Sequence, residues 1–311
     1  MNLLKNLLEK QKIIVLDGAS GTELQRKGYD VNDELWASMF LISNPKAIKE
    51  VHEDYLEAGA NCITSLSYQA TYEGFYKKGL KENEAKKMLL LSVSLAKEAR
   101  DAYFNKNSEN TSKALVAASI GPYGAYLADG SEFRGDYSLN QKELEAFHIK
   151  RLNTLLEAKP DILAFETVPC LKEAKAYVNL LKNKKNINAW ISFSAKDSLH
   201  INSGETIKEC AQYLEKYSFI TAIGINCTSP KYAQALIQEI KKVSSKIIIV
   251  YANSGDIYDA NDKSWKTSTN NISYAKMSEA WYKAGARIIG GCCQTTPKDI
   301  KEIVNIYNQG K

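Results

Sequence analysis

Along almost the whole chain, short apolar runs rich in β-branched residues alternate with stretches whose apolar positions recur every three or four residues. The first pattern reads as a buried strand and the second as an amphipathic helix. The runs fall at 13–16, 61–64, 114–119, 161–165, 189–193, 222–225, 247–251 and 287–289. Between them lie helical faces such as Ile48, Val51, His52, Tyr55 and Leu56, opened by Asn44 and Pro45 and stopped by Gly59. Ala85, Leu89, Val93 and Ala96 make a second face, and Ile300, Ile303, Val304 and Tyr307, after Thr296 and Pro297, make the last. A capping side chain followed by proline at the first helical position is a strong start signal. Residues 1–10 read as a short amphipathic helix ahead of the first strand.

Eight strand–helix units in strict alternation predict an α/β protein, a (β/α)8 TIM barrel, formed as a single domain over residues 1–311. A doubly wound sheet would need a glycine-rich phosphate loop after the first strand, and the chain has none. Ala58-Gly59-Ala60 and Ala284-Gly285-Ala286 repeat the same helix-to-strand joint. The strand-to-helix connections after strands one, two, three and seven are much longer. Active sites of this fold lie on that side. Asp17, Thr64, Ser119, Glu166, Asn226, Cys227, Asn253, Cys292 and Cys293 end the runs there.

Composition narrows the function more than the fold. The net charge of +5 is spread over mixed Lys/Glu helix faces without a basic block, which argues against nucleic-acid binding. No apolar run reaches membrane length, and charges interrupt the N-terminal one, so neither a membrane span nor a signal peptide is expected. Six cysteines without a secretory signal point to a reducing cytoplasm, where clustered thiols bind metal more often than they pair.

Gly290-Gly291-Cys292-Cys293 ends the eighth run, and Asn226-Cys227 ends the sixth. Each cysteine has two readings, a small buried hydrophobe or a metal ligand. Adjacent cysteines point to opposite faces of a regular strand, so sharing one metal requires a bend that the two glycines permit. Cys62 and Cys210 lie on apolar faces and Cys170 follows a Glu-Thr-Val-Pro turn; all three read as packing. With only three histidines, two of them on helix faces, the soft thiolates are the obvious donor set. Three thiolates on Zn²⁺ leave one position for a substrate thiol, which points to thiol activation more than to water activation. Asp17 and Glu166 either cap loops or hold the ammonium of an amino acid, with Gly18, Ala19 and Ser20 offering backbone N–H groups to its carboxylate. The aromatic and acidic residues of 121–137 either form turns or receive a cationic sulfonium donor.

Taken together, these motifs resemble the homocysteine S-methyltransferase family. The resemblance runs through Asp17-Gly-Ala-Ser-Gly-Thr-Glu-Leu24, the stretch 58–69, Ser119-Ile-Gly-Pro-Tyr-Gly-Ala-Tyr126, Glu166-Thr-Val-Pro169, Gly224-Ile-Asn-Cys-Thr228, Asn253-Ser-Gly255 and Gly290-Gly-Cys-Cys293. It implies zinc on Cys227, Cys292 and Cys293, with homocysteine sulfur as fourth ligand. It implies a homocysteine-binding set of Asp17, Gly18, Ala19, Glu166 and Asn226, and methionine as product. The loop 126–135 looks like that of members using S-methylmethionine, with S-adenosylmethionine a poorer donor, and makes Tyr126, Asp129, Glu132 and Arg134 the expected donor contacts. Two positions depart from the family pattern: Ala252 stands where proline is usual, and Phe133 where tyrosine is common. A non-catalytic zinc- or thiol-binding sensor, or a betaine- or selenocysteine-type methyltransferase, would use the same cysteines.

Overall fold

The structure, a computed structural model, describes residues 2–108, 113–255, 257–259, 264–266 and 273–308. Eight strands form one sheet: Ile14–Val15, Cys62–Thr64, Leu115–Ile120, Ile162–Val168, Ala189–Phe193, Ile220–Asn226, Ile247–Ala252 and Ala286–Gly291. Strands two to eight pair in parallel, each with the next, and the eighth pairs with the first through Ile14↔Ile288 and Val15↔Ile289. A parallel bridge between Leu16 and Cys62 closes the circle between strands one and two. The expected barrel is therefore present, with strand bounds within a few residues of those read from the sequence.

Both faces of every strand are covered, which is why the runs are continuously apolar and do not alternate. Ile14, Ala117, Ile162, Ala164, Trp190, Ala222, Ile249, Tyr251 and Ile288 fill the interior. Their neighbours Val15, Val116, Leu163, Ile191, Ile223, Val250 and Ile289 face the helices. The N-terminal helix Leu3–Leu8 has a role the sequence did not reveal. Its Leu4 is fully buried in the interior cluster, with Leu7 and Leu8 packed against it, so this helix plugs the barrel on the side away from the strand-to-helix loops. Met1, part of the expected helix, lies outside the described residues.

At its other end the interior turns polar. Trp190 Nε1 donates to the Tyr251 hydroxyl at 3.1 Å, which meets Ser192 Oγ at 2.6 Å, and Ser192 Oγ donates to Asn226 Oδ1 at 2.8 Å. This chain of hydrogen bonds carries the core upward to the strand ends without leaving a polar atom unpaired.

The long connections contain structure that periodicity did not announce: short helices at Ser20–Arg26, Tyr72–Lys77 and Tyr123–Leu127, and a hairpin of Ile257–Asp259 with Ser264–Lys266. The helices Pro45–Glu57 and Pro297–Asn308 start at the prolines that marked them, and Asn44 caps the first through the Ala47 N–H at 3.3 Å. No helix among the described residues is long and apolar enough to cross a membrane.

One helix position imposes a pH limit. His52 is fully buried on Pro45–Glu57 with neither ring nitrogen hydrogen-bonded, and burial pushes its pKa down to about 4. An unfolded histidine titrates near 6.5, so between these values the unfolded chain takes up a proton that the folded chain refuses. Stability is thus lost as pH falls from about 6.5 towards 4. His52→Leu removes this contribution. In urea unfolding, wild-type protein is expected to lose about 2 kcal/mol more than the variant between pH 7 and pH 5. Equal losses would show that His52 does not titrate on unfolding.

Candidate active site

Two chain bends make the centre of the site. The sixth strand ends at Asn226, and Cys227 follows in the left-handed region at φ 44°. A residue with a Cβ adopts that conformation only when its surroundings hold it there. They do so here: the Cys227 N–H donates to the Tyr251 carbonyl at 3.3 Å, and Thr228 Oγ1 donates to the Asn226 carbonyl at 2.9 Å while accepting from the Ala195 N–H at 2.9 Å. On the eighth strand, Gly291 N–H donates to the Asp17 carbonyl at 3.0 Å and Cys292 N–H to the Ala252 carbonyl at 2.8 Å. The chain then folds back, with Thr295 Oγ1 donating to the Cys292 carbonyl at 2.6 Å. A Cβ on Gly291 would lie 2.2 Å from that Thr295 oxygen, and one on Gly290 would lie 2.7 Å from the Asp17 carbonyl oxygen. The glycine pair is needed for this close approach.

The outcome is that the sulfur atoms of Cys227, Cys292 and Cys293 all lie within 4.8 Å of one another, each residue half-buried. Cys227 and Cys292 are within disulfide contact, their Cα atoms 5.6 Å apart, and Cys227 Sγ lies 3.9 Å from Cys293 Sγ. Tetrahedral zinc with sulfur ligands at about 2.3 Å sets sulfurs roughly 3.8 Å apart. The Cys227–Cys293 edge already has that length, whereas the Cys227–Cys292 edge has to open to it for a metal to enter. Burial pushes the Cys293 thiol up to about 11, so without a cation it stays protonated. A bound metal reverses that preference. Cys62, Cys170 and Cys210 are buried elsewhere, as packing residues.

Beside the thiols lie two buried carboxylates. Asp17 Oδ2 accepts the Thr64 N–H at 2.7 Å and the Thr64 hydroxyl at 3.0 Å. Burial nonetheless outweighs these bonds and, with a smaller push from the charge of Glu166, raises its pKa to about 8. Glu166 is raised as well, chiefly by burial, although the Ser119 hydroxyl donates to it and the Tyr251 hydroxyl faces it. Among the described residues neither acid forms an ion pair. Two adjacent buried acids without a cation suit a ligand that brings one.

Sequence comparison identifies the family. The family model for homocysteine S-methyltransferase matches residues 14–307. The chain belongs to the homocysteine S-methyltransferase family. It is 51% identical over 305 residues to homocysteine S-methyltransferase YbgG of Bacillus subtilis, covering 97% of each chain. It is 44% identical to the homocysteine S-methyltransferase of Escherichia coli, covering 96% of each. The crystal structure of the E. coli homocysteine methyltransferase MmuM in its metallated form superposes with a TM-score of 0.89 at 41% identity, covering 98% of this chain and 100% of that one.

Against that family background, the expected contacts separate by position. Ala19 donates its N–H to Thr295 Oγ1 at 3.3 Å, while its carbonyl accepts the Tyr55 hydroxyl at 3.2 Å. Gly18 packs against the same Tyr55 and Thr295 side chains. Asn226 is engaged within the protein: Oδ1 accepts the Thr167 N–H at 2.6 Å, and Nδ2 donates to Thr167 Oγ1 at 2.7 Å. It thereby holds Thr167, itself at φ 57°, next to Glu166. In the loop 126–135, Asp129 accepts from Ser131, and Arg134 reaches the exposed Asp129 and Asp136. The Tyr126 ring packs against Phe147 under Lys77. Glu132 alone of this set has a buried oxygen, Oε2, without a hydrogen-bond partner.

Tyr68 has no role in the sequence reading, although it lies inside one of the family-like stretches. Its phenol lies beside the Thr167 hydroxyl and within electrostatic reach of Glu132, Glu166 and Cys293. A tyrosine in a serine-rich loop gives no such signal before the fold places it. Ala252, at the family's usual proline, provides the carbonyl that receives both the Cys292 N–H and the Tyr274 hydroxyl, the latter at 2.8 Å.

The thiol geometry makes a direct prediction about metal content. Cys227→Ser, Cys292→Ser and Cys293→Ser are each expected to reduce bound metal from stoichiometric to about a tenth or less, whereas Cys62→Ala, Cys170→Ala and Cys210→Ala retain it. Elemental analysis of the purified proteins measures this. Full metal content in any of the three serine variants would contradict the assigned ligand set.

Proposed function

We propose that the chain is a zinc-dependent methyltransferase that moves a methyl group from a sulfonium donor, S-methylmethionine or S-adenosylmethionine, to the sulfur of L-homocysteine, forming methionine. The observation that carries this reading is the junction of three convergent thiols with two buried carboxylates that lack a cation among the described residues. One half of that junction suits a sulfur and the other an ammonium, and homocysteine has both on one short chain. Residues 1–311 are read as one homocysteine-binding barrel domain, acting on small molecules in a reducing cytoplasm.

Cys227, Cys292 and Cys293 are the proposed zinc ligands. Bound there, zinc supplies a Lewis-acid position that holds the homocysteine thiol as its thiolate near neutral pH. Asp17 and Glu166 receive the ammonium, with Thr64 and Ser119 fixing their oxygens, and the Gly18–Ala19 backbone borders the amino-acid end. Asn226 contributes through Thr167, which it holds beside Glu166. Since the sulfur is ionised before attack, no side chain has to remove a proton during it. The new carbon–sulfur bond forms as the donor's methyl–sulfur bond breaks, and the electron pair leaves with the donor sulfur as a neutral thioether. An anion and a cation become two neutral sulfides, so a site shielded from water favours the reaction. The remaining contribution of the protein is alignment of the two sulfurs and the methyl between them.

Methionine formation from homocysteine, assayed with a panel of methyl donors, tests the reaction. Activity is expected with S-methylmethionine or S-adenosylmethionine. Asp17→Asn is expected to raise the KM for homocysteine roughly tenfold or more with unchanged metal content, because a neutral amide replaces a charged partner of the ammonium. No methionine from any sulfonium donor with fully metallated protein would overturn the function. An unchanged KM would overturn the role of Asp17.

A further inference from the structure

The loop after strand three carries three carboxylates, Asp129, Glu132 and Asp136, and the fold brings one of them inward. Arg134, Asp129 and Asp136 form an exposed group in which Arg134 Nε lies 3.1 Å from Asp136 and Nη1 donates to the Asp129 carbonyl at 3.0 Å. Ser131 donates to Asp129 from its backbone N–H at 2.9 Å and also from its hydroxyl. These bonds fix the turn from 129 to 136 from outside. Glu132 sits in the 3-10 turn Ser131–Phe133 within it. Its carbonyl accepts Ser194 Oγ, at the end of the fifth strand, at 3.3 Å. Its N–H lies where a Cβ on Gly124 would come within 2.4 Å. The backbone of Glu132 is thus held between the short helix Tyr123–Leu127 and the barrel rim.

Among the described residues, the side chain held there has a buried oxygen with no hydrogen-bond partner, and no ion pair reaches it. A buried, unpaired carboxylate oxygen is costly, and the simplest compensation is a cation arriving with a ligand. Glu132 shares the neighbourhood of the Tyr68 phenol with Glu166 and Cys293, so the cation it awaits lies close to the reacting sulfur.

We propose that Glu132 is the residue that selects a positively charged methyl donor, by facing the donor's sulfonium centre across the site from the thiols. The assignment rests on the methyl-transfer reading above and adds the determinant of donor class. Its kinetic consequence follows from the direction of charge change. The sulfonium loses its charge as the methyl leaves, so a carboxylate facing it favours the bound ground state at least as much as the transition state. Removing the carboxylate therefore weakens donor binding without slowing the bound complex. An acid that holds the homocysteine ammonium would instead change the other substrate's KM.

Steady-state kinetics of Glu132→Gln in the metallated enzyme test this, with S-methylmethionine and with trimethylsulfonium, a donor that has no ammonium. The donor KM is expected to rise about tenfold or more for both compounds, with kcat unchanged or higher and the homocysteine KM within about twofold of wild type. Glu132→Asp, which keeps the charge on a shorter side chain, is expected to recover part of the donor KM. An unchanged donor KM, or equal loss in the Gln and Asp variants, would overturn the assignment. So would a defect seen with S-methylmethionine and absent with trimethylsulfonium, since it would place the donor's ammonium at Glu132. If wild-type enzyme accepts no sulfonium donor, the functional reading fails and this assignment with it. Active wild type with an indifferent Glu132→Gln removes only the role of Glu132.

Discussion

Everything proposed for this protein depends on two strand ends being bent toward each other over a barrel rim. Strands six and eight are not neighbours; strand seven lies between them. Their cysteines meet only because Cys227 takes a left-handed turn and Gly290-Gly291 lets the eighth strand pass close to Asp17 and Thr295. Strand seven takes part through its backbone, with the Tyr251 and Ala252 carbonyls receiving the N–H groups of Cys227 and Cys292. The thiol triangle is a property of the closed sheet, since three separate strands fix its corners. The same closure brings Asp17, just past strand one, beside the end of strand eight.

A site built this way is electrostatically unfavourable without its ligands. Burial raises the pKa of Asp17 to about 8 and displaces Glu166 in the same direction, and no side-chain cation among the described residues compensates. An acid whose pKa is raised on folding costs stability as pH rises through the range in which the unfolded chain would release its proton. For Asp17 that range ends near pH 8, and the cost at neutral pH is on the order of several kcal/mol. The barrel tolerates it through an apolar interior closed by Leu4 below and a hydrogen-bonded column of Trp190, Tyr251, Ser192 and Asn226 above. Binding an ammonium would relieve the penalty, so part of the stability withheld from the free protein returns as affinity for the substrate.

The fold was legible in the sequence because its strands are buried on two faces, and its helices announce themselves with caps and prolines. Pro45 and Pro297 begin helices where the pattern put them. The three cysteines were legible as well, because the eighth and sixth runs end on them. Less could be read from the connecting loops. Tyr126, Asp129, Glu132 and Arg134 have equal claims as types of residue, yet Asp129 and Arg134 are consumed by the turn's own hydrogen bonds and Tyr126 by ring packing. Only chain path distinguishes Glu132 from them. Tyr68 was not assigned for the same reason, since its importance lies in three neighbours far apart in sequence. Asn226 reads as a polar strand end facing substrate, whereas its hydrogen bonds to Thr167 and Ser192 lie within the protein and are visible only in three dimensions.

The central claim is that three protein thiolates hold a metal and leave one place for the substrate's sulfur. X-ray absorption at the zinc edge, recorded on the metallated protein before and after saturation with homocysteine, tests it most directly. The account predicts three sulfur neighbours at about 2.3 Å with one lighter ligand before, and four sulfur neighbours after. A sulfur count that stays at three when homocysteine is bound would contradict it.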